Sequence, residues 1–383
     1  MLALLSDAPE AALERLAGID GESLTALFTI ANQHRVLPLL HHFHHADPRV
    51  PVELSAAGKA AYRLASIEAM ALKAERDAIA GLLAQAGMAP IVLKGGWLAW
   101  SAYPDPALRP MRDLDFLLDP AHVGQAQDLL VSRGFTATPA ELPLADMLAL
   151  DKHLPPLTSP RGLRVELHHR LWEVEGRMDH MAPRGDAAPL VQRAVSEGGL
   201  RFLAPTDMLM HLIVHAAYDH RLDCGPLLVT DIAYLIAARP IDWPAFWRAA
   251  QANGWERGAR LVLDLVARQR GIAVVFPERQ VPCPAEVLNA APDLLLQDLA
   301  TRQSAGVVAT ARVRGLRGLI DRLAARRSSG HGDGTVARDL AGQGGFASWA
   351  KSRASRTISH LSRADVRRQS ADLARLSDWL GNR

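Results

Sequence analysis

Cysteine is nearly absent: Cys224 and Cys283 are the two in 383 residues. That scarcity excludes a disulfide framework and a cysteine-rich zinc site, and it fits a reducing cytoplasm. An excess of one charge is missing too. The chain has 43 basic against 41 acidic residues, a net +2, so no global case exists for nucleic-acid or membrane binding. No apolar run approaches the roughly 18 residues that would span a bilayer. The opening MLALLSDAPEAALERL lacks a basic leader and meets acidic residues early, which argues against a secretory signal. The expectation is a soluble cytoplasmic protein. No GxxxxGK[ST], GxGxxG or GxSxG pattern occurs, which disfavours a P-loop ATPase, a dinucleotide-binding Rossmann domain and a hydrolase elbow. No internal repeat is found.

What is present is apolar substance, 49% of the chain, enough for a sizeable core and against general disorder. The length suits two or three modules. Apolar periodicity then divides the chain. Residues 1–88 read as helices: one over 9–16, a second capped by Ser23, an apolar stretch over 37–40, and a long alanine-rich helix over 56–87. This region reads as scaffold rather than as a substrate-side wall. His41, His42, His44 and His45 lack a regular ligand spacing and read as a solvated helix end.

Over 89–170 the period changes to that of strands, with strands expected over 90–93, 114–118 and 135–138 and a helix over 121–132. Segments 152–158 and 163–167 flank Ser159-Pro160-Arg161-Gly162, the chemistry of a hairpin turn, although Pro155 and Pro156 weaken the first arm. Residues 171–300 return to helices. One is expected to start at Thr206 or Asp207 as cap and carries His211 and His215. These two are four apart, a possible metal pair, but no HExxH accompanies them. His215 reads as a packing or substrate-side group. Asp231 lies in an apolar helix and, if buried, needs an arginine or histidine partner. Phe246, Trp247 and Ala250 share a helical face and read as core. Residues 301–383 form a basic tail with Arg312, Arg314, Arg317, Arg322, Arg326 and Arg327, a Gly/Ser-rich linker over 328–335, and further basic residues. Amphipathic helices with solvated arginines and partial disorder are the first reading. Contact with a polyanion or an acidic membrane surface is the second.

The chemistry concentrates in residues 91–118, IVLKGGWLAWSAYPDPALRPMRDLDFLL. An apolar strand ends in Lys94-Gly95-Gly96, a short helical pattern follows from Trp97, and a loop carrying Arg109 leads to Asp113-Leu114-Asp115. Side chains alternate along a strand, so Asp113 and Asp115 point to one face and Leu114 and Phe116 to the other. Two carboxylates on one face repel unless a cation lies between them, and hard divalent ions favour such oxygens. On the hairpin's second arm Arg164, Glu166 and His168 share a face, with Val165 and Leu167 toward the core. Glu166 is the third acidic residue such a metal site would need.

The same stretch resembles the nucleotidyltransferase superfamily that includes DNA polymerase beta. Within it the best likeness is to the bacterial uncharacterised nucleotidyltransferase family, carried by Leu93-Lys94-Gly95, Tyr103-Pro104, Arg109, Asp113-Leu114-Asp115, the VELHHRL block around Glu166 and the DIAYLI block at Asp231. A looser likeness is to the nucleotidyltransferase toxins of abortive-infection systems. The resemblance implies an α/β (α+β) fold with a small mixed-sheet core embedded in helical regions. It implies a Mg²⁺-dependent enzyme, with two ions, that moves a nucleoside monophosphate from an NTP such as ATP to an unidentified acceptor: small molecule, protein or RNA. Asp113, Asp115 and Glu166 would be the catalytic metal carboxylates. Lys94, Gly95, Gly96 and Arg109 would bind the nucleotide, with glycine N–H groups and a helix N-terminus facing the triphosphate. His168 and His215 would be substrate-side. Two departures stand out: Gly96 replaces a serine common in the polymerase-like pattern, and His169 stands where the family usually has tryptophan. The alternatives are an inactive binding protein on this fold and a toxin-like tRNA-modifying enzyme.

Overall fold

Short strands, some separated by helices and some joined as hairpins, build one mixed sheet, as the change of period around residue 89 predicts. The computed structural model describes residues 1–139, 142–172, 188–297, 302, 305 and 364–381. Four helices come first: α1 (Glu10–Ala17), α2 (Gly21–Gln33), α3 (Leu37–His44) and the long α4 (Val52–Gln85). Then follow β1 (Ile91–Val92), α5 (Gly95–Ser101), β2 (Asp113–Leu117), α6 (Val123–Ser132), β3 (Thr136–Ala137), α7 (Leu144–Leu150), β4 (Leu157–Thr158) and β5 (Arg164–His168). After them come α8 (Ala188–Gln192), β6 (Val195–Glu197), β7 (Leu200–Phe202) and α9 (Pro205–Val214), which runs into a π-helical turn at His215–Asp219. The next helices are α10 (Leu227–Ala238), α11 (Trp243–Ala252), α12 (Glu256–Arg270) and α13 (Ala285–Leu295).

Among the described residues the strands form a seven-stranded sheet in the order β3-β4-β5-β2-β1-β7-β6. β2 lies between β1, antiparallel to it, and β5, parallel to it. Leu114, Phe116, Val165 and Leu167 are fully buried, as the alternation requires. The hairpin forms with a first arm of two residues, β4, plus an isolated bridge between His153 and His168. Pro155 and Pro156 separate the two, since proline has no N–H for the ladder. Phe246, Trp247 and Ala250 are core, as their spacing predicts.

Several local expectations are corrected. Residues 171–300 are not wholly helical: β6 and β7 form a hairpin around Gly198-Gly199, both at positive φ (60° and 82°), and β7 joins the sheet parallel to β1. Two adjacent glycines are the signal for such a turn. Asp20, not Ser23, caps α2, accepting from the Ser23 N–H at 2.7 Å. Ala204 precedes α9, and neither Thr206 nor Asp207 caps it. The Thr206 hydroxyl accepts from the Asp242 N–H, and Asp207 pairs with Arg193 at 2.8 Å. His44 is buried against the Leu4 carbonyl, whereas His42 and His45 are exposed, so the histidine-rich helix end is only partly solvated.

The described residues divide into two compact units, residues 1–220 with 224–283, and residues 221–223 with 284–383. In the second unit α13 packs on a helix at Ala364–Leu380, through buried Val287, Ala291, Leu294 and Leu295 on one side and Val366, Leu373, Leu376 and Leu380 on the other. Arg367 and Arg368 are exposed on that helix. The arginines expected between 312 and 327, and the linker over 328–335, lie outside the described residues. No helix among the described residues is long and apolar enough to cross a membrane.

Candidate functional site

The register of β2 against β5 brings the carboxylates together. The strands are parallel, with Asp113 opposite Arg164, Asp115 opposite Glu166 and Leu117 opposite His168. Alternation then puts Asp113, Asp115, Glu166 and His168 on the face away from the Leu114 and Phe116 core. The Asp115 carboxylate meets His168 Nε2 at 3.0 Å through one oxygen and Lys94 Nζ at 3.2 Å through the other. Glu166 Oε2 lies 3.5 Å from His168 Nε2 and 3.7 Å from His153 Nε2, and its Oε1 accepts from Arg164 at 2.9 Å. Ligand atoms of Asp115, Glu166 and His168 all lie within 4.8 Å of one another. Asp113 sits on the same face, half-buried, outside that tight group.

The protonation states follow from this packing. Burial, and next the Asp115 charge, push the Asp113 carboxyl up to about 6. Asp115 is buried, which alone would raise it. The Lys94 ammonium and the His168 hydrogen bond outweigh burial and hold it well below the carboxylate range. Burial is likewise outweighed at Glu166, where the His168 hydrogen bond and the His153 charge keep the carboxylate ionised. His168 is raised: burial disfavours its cation, but Asp115 and Glu166 favour it more strongly. Three carboxylates thus share one face, with Lys94 and His168 against Asp115 and Arg164 against Glu166.

Lys94 reaches Asp115 from an unusual backbone. Its φ is 46° and ψ −127°, a region that a side-chain-bearing residue occupies at a cost of about 1–3 kcal/mol. The expected turn is therefore the first residue of a helix: α5 starts at Gly95, not near Trp97. The two glycines are buried and closely packed. A Cβ on Gly95 would fall 2.8 Å from Met111 Sδ, and one on Gly96 would fall 2.7 Å from Val92 Cγ1. The Gly96 N–H donates to the Leu93 carbonyl and the Trp97 N–H to the Lys94 carbonyl.

Arg109 also departs from expectation. Its Nε and Nη2 donate to the two Asp231 oxygens at 2.7 and 3.0 Å, and the Tyr103 hydroxyl donates to the same carboxylate at 2.6 Å. The fork is thereby engaged by α10, and the loop between α5 and β2 is tied down. The arginine partner anticipated for buried Asp231 is present. Three blocks that carried the resemblance, Tyr103-Pro104, Arg109 and DIAYLI, converge on this one network.

Sequence reasoning overlooked Lys152, His153, Asp219 and Arg76. Lys152 Nζ pairs with Asp219 Oδ2 at 2.7 Å, and that oxygen lies 3.5 Å from His215 Nδ1. The HxxxD spacing of His215 and Asp219 on one helical face was a usable signal. Nothing local announces Lys152 or His153, which reach the site through the bridge to β5. Arg76 on α4 is buried, donates to the Gly96 carbonyl at 2.7 Å and stacks over Trp100. His211 is buried, and both its ring nitrogens lack a hydrogen-bond partner among the described residues. Burial first, and then the Lys94 charge, hold His211 and His215 neutral. His211 and His215 form no metal group among the described residues.

Against known families, a model described as uncharacterised nucleotidyltransferase matches residues 20–271. That span contains every residue of the site. Comparison with curated proteins gives no match.

Proposed function

Since the chain belongs to the uncharacterised nucleotidyltransferase family, we propose that it moves a nucleoside monophosphate from a nucleoside triphosphate to an acceptor, with divalent cations held by Asp113, Asp115 and Glu166. The observation that carries the reading is the parallel register that sets Asp115 opposite Glu166 with Asp113 on the same face. The donor set fits such ions. Carboxylate oxygens suit hard divalent cations, and Asp113, raised by burial and then by the Asp115 charge, lies on the same face as Asp115 and Glu166. Mg²⁺ is the cation that the family likeness implies, and it is among the hard ions that such oxygens hold. Bound there, it would stabilise the attacking and leaving oxygens of the transfer.

The remaining work falls to the chain's own residues. Lys94 keeps Asp115 ionised and is the ammonium available to the phosphate side of the site. Gly95 and Gly96 let α5 pack close to β1 and β2, which positions Lys94. Arg109 acts at one remove, holding the loop that aims Asp113. Glu166 is held too acidic to be a good proton acceptor near neutrality, so its role is to bind and orient. His215, backed by Asp219 and Lys152, stands on the acceptor side. Within this reading residues 89–170 with the β6–β7 hairpin are the catalytic core, and the helices of residues 1–88 and 205–270 support it.

The test is transfer of label. The full chain is incubated with Mg²⁺, each labelled NTP and cell extract, beside D113N and D115N. Wild-type protein should label an acceptor and both variants should lose at least about 10²-fold of the rate, the loss typical when a transition-state charge partner is removed. Labelling at the wild-type rate by both variants would sink the reading.

A further inference from the structure

We propose that His168 is a direct ligand of the bound cation, which makes the site a mixed carboxylate–imidazole centre that selects Mn²⁺ and related transition ions over Mg²⁺. The inference rests on the functional reading above and specifies its metal.

The alternation Glu166-Leu167-His168 on β5 puts an imidazole on the carboxylate face, across the strand pair from Asp115. His168 is 1% exposed, so this ring is not a surface group passing by. Nε2 is the nitrogen turned to the site, 3.0 Å from Asp115 Oδ1 and 3.5 Å from Glu166 Oε2. The other nitrogen, Nδ1, has no hydrogen-bond partner among the described residues. Among the described residues the ring is therefore hydrogen-bonded only through Nε2. Donor atoms of Asp115, Glu166 and His168 lie within 4.8 Å of one another, close enough to share one ion. His153 packs edge-on to His168, ring centres 5.0 Å apart, and closes the site beside Glu166.

The donor set decides the metal. Mg²⁺ demands near-octahedral oxygen coordination and keeps several waters. Imidazole nitrogen suits first-row transition ions, while two carboxylates remain compatible with Mn²⁺. A nucleotidyl-transfer site built only of carboxylates has no reason to discriminate in this way.

Pulsed EPR on Mn²⁺-loaded full-length protein reads the ligand directly. A coordinated imidazole gives a nitrogen coupling whose frequencies change when histidine is labelled with ¹⁵N. We expect that coupling in the wild type and its loss in H168Q, with Mn²⁺ affinity lowered about tenfold or more and Mg²⁺ affinity little changed in competition titrations. Absence of the coupling in the wild type, or its persistence in H168Q, overturns the proposal. Should H168Q not fold, H153Q and H211Q take its place: coupling retained in both supports His168, and coupling lost in either overturns it. The outcome is separable from the functional reading. Label transfer that depends on Asp113 and Asp115 without any nitrogen coupling removes only this inference, and transfer indifferent to both aspartates removes the functional reading.

Discussion

Asp113 is the residue on which the electrostatics of the site turn. Its carboxyl is lifted to about 6 by burial and by Asp115, so the folded chain holds this proton more tightly than the unfolded chain. The resulting stabilisation is complete below the unfolded carboxylate value of about 3.9 and is lost as pH rises through about 6. In EDTA, D113N should therefore melt at nearly the wild-type temperature at pH 4 and above it at pH 8, by thermal denaturation. Equal melting temperatures at pH 8 would mean that Asp113 is not crowded by its neighbours. Cation binding needs the ionised form, so the same group predicts that Mg²⁺ or Mn²⁺ affinity falls as pH drops below about 6, measurable by titration calorimetry. Lys94 shows the converse. A lysine at φ 46° is a strained residue held in place because its ammonium meets Asp115.

At the scale of elements, α5 and the loop after it are what aim β2. Gly95 sits against Met111, and a methyl group there would overlap Sδ. G95A should destabilise the chain by about 1–3 kcal/mol through overpacking. Combining it with M111A should be less damaging than the sum of the two, a coupling that a double-mutant cycle in urea detects. Additive effects would mean that the glycine is required for some other reason. The loop itself is fastened by the Arg109–Asp231 fork. Lysine keeps the charge but cannot bond both oxygens from a fixed plane. R109K should cost about 3 kcal/mol, near the lower end for breaking a buried pair. It should also slow transfer by misaiming Asp113, without removing a group that touches the cation.

For the whole molecule the consequence is linkage. A cation that binds the folded site alone stabilises by about 2.7 kcal/mol at one hundred times its Kd. Mn²⁺ added to EDTA-treated protein should raise the melting temperature of the wild type and leave that of D115N nearly unchanged. An equal rise in both would place the binding elsewhere, and the exposed acidic groups of the surface would be the next place to look. The catalytic candidates all lie in the unit of residues 1–220 and 224–283, which also contains the family match apart from residues 221–223. The thermal response should therefore report that unit.

Alternation is strictly local, and so the pairing of Asp113 with Asp115, and of Glu166 with His168, could be read directly from the chain. The family's blocks are local too, and their order along residues 93–236 was enough to identify the family and the mixed sheet within helices. The limits of that reading have one physical cause: spacing says which face a side chain takes and nothing about what comes to meet it. Arg109 carries the same guanidinium whether it binds a phosphate or Asp231, and Asp231 lies 122 positions away. Gly95 and Gly96 suit a phosphate turn or a tight helix packing equally well, and nothing local foretells that Met111 and Val92 pack against them. The β6–β7 hairpin was hidden because three-residue strands carry too little periodicity to stand out from flanking helices. Residue order determined the chemistry offered on each strand face; the parallel register of β2 on β5, a tertiary fact, decided that Asp115, Glu166 and His168 meet.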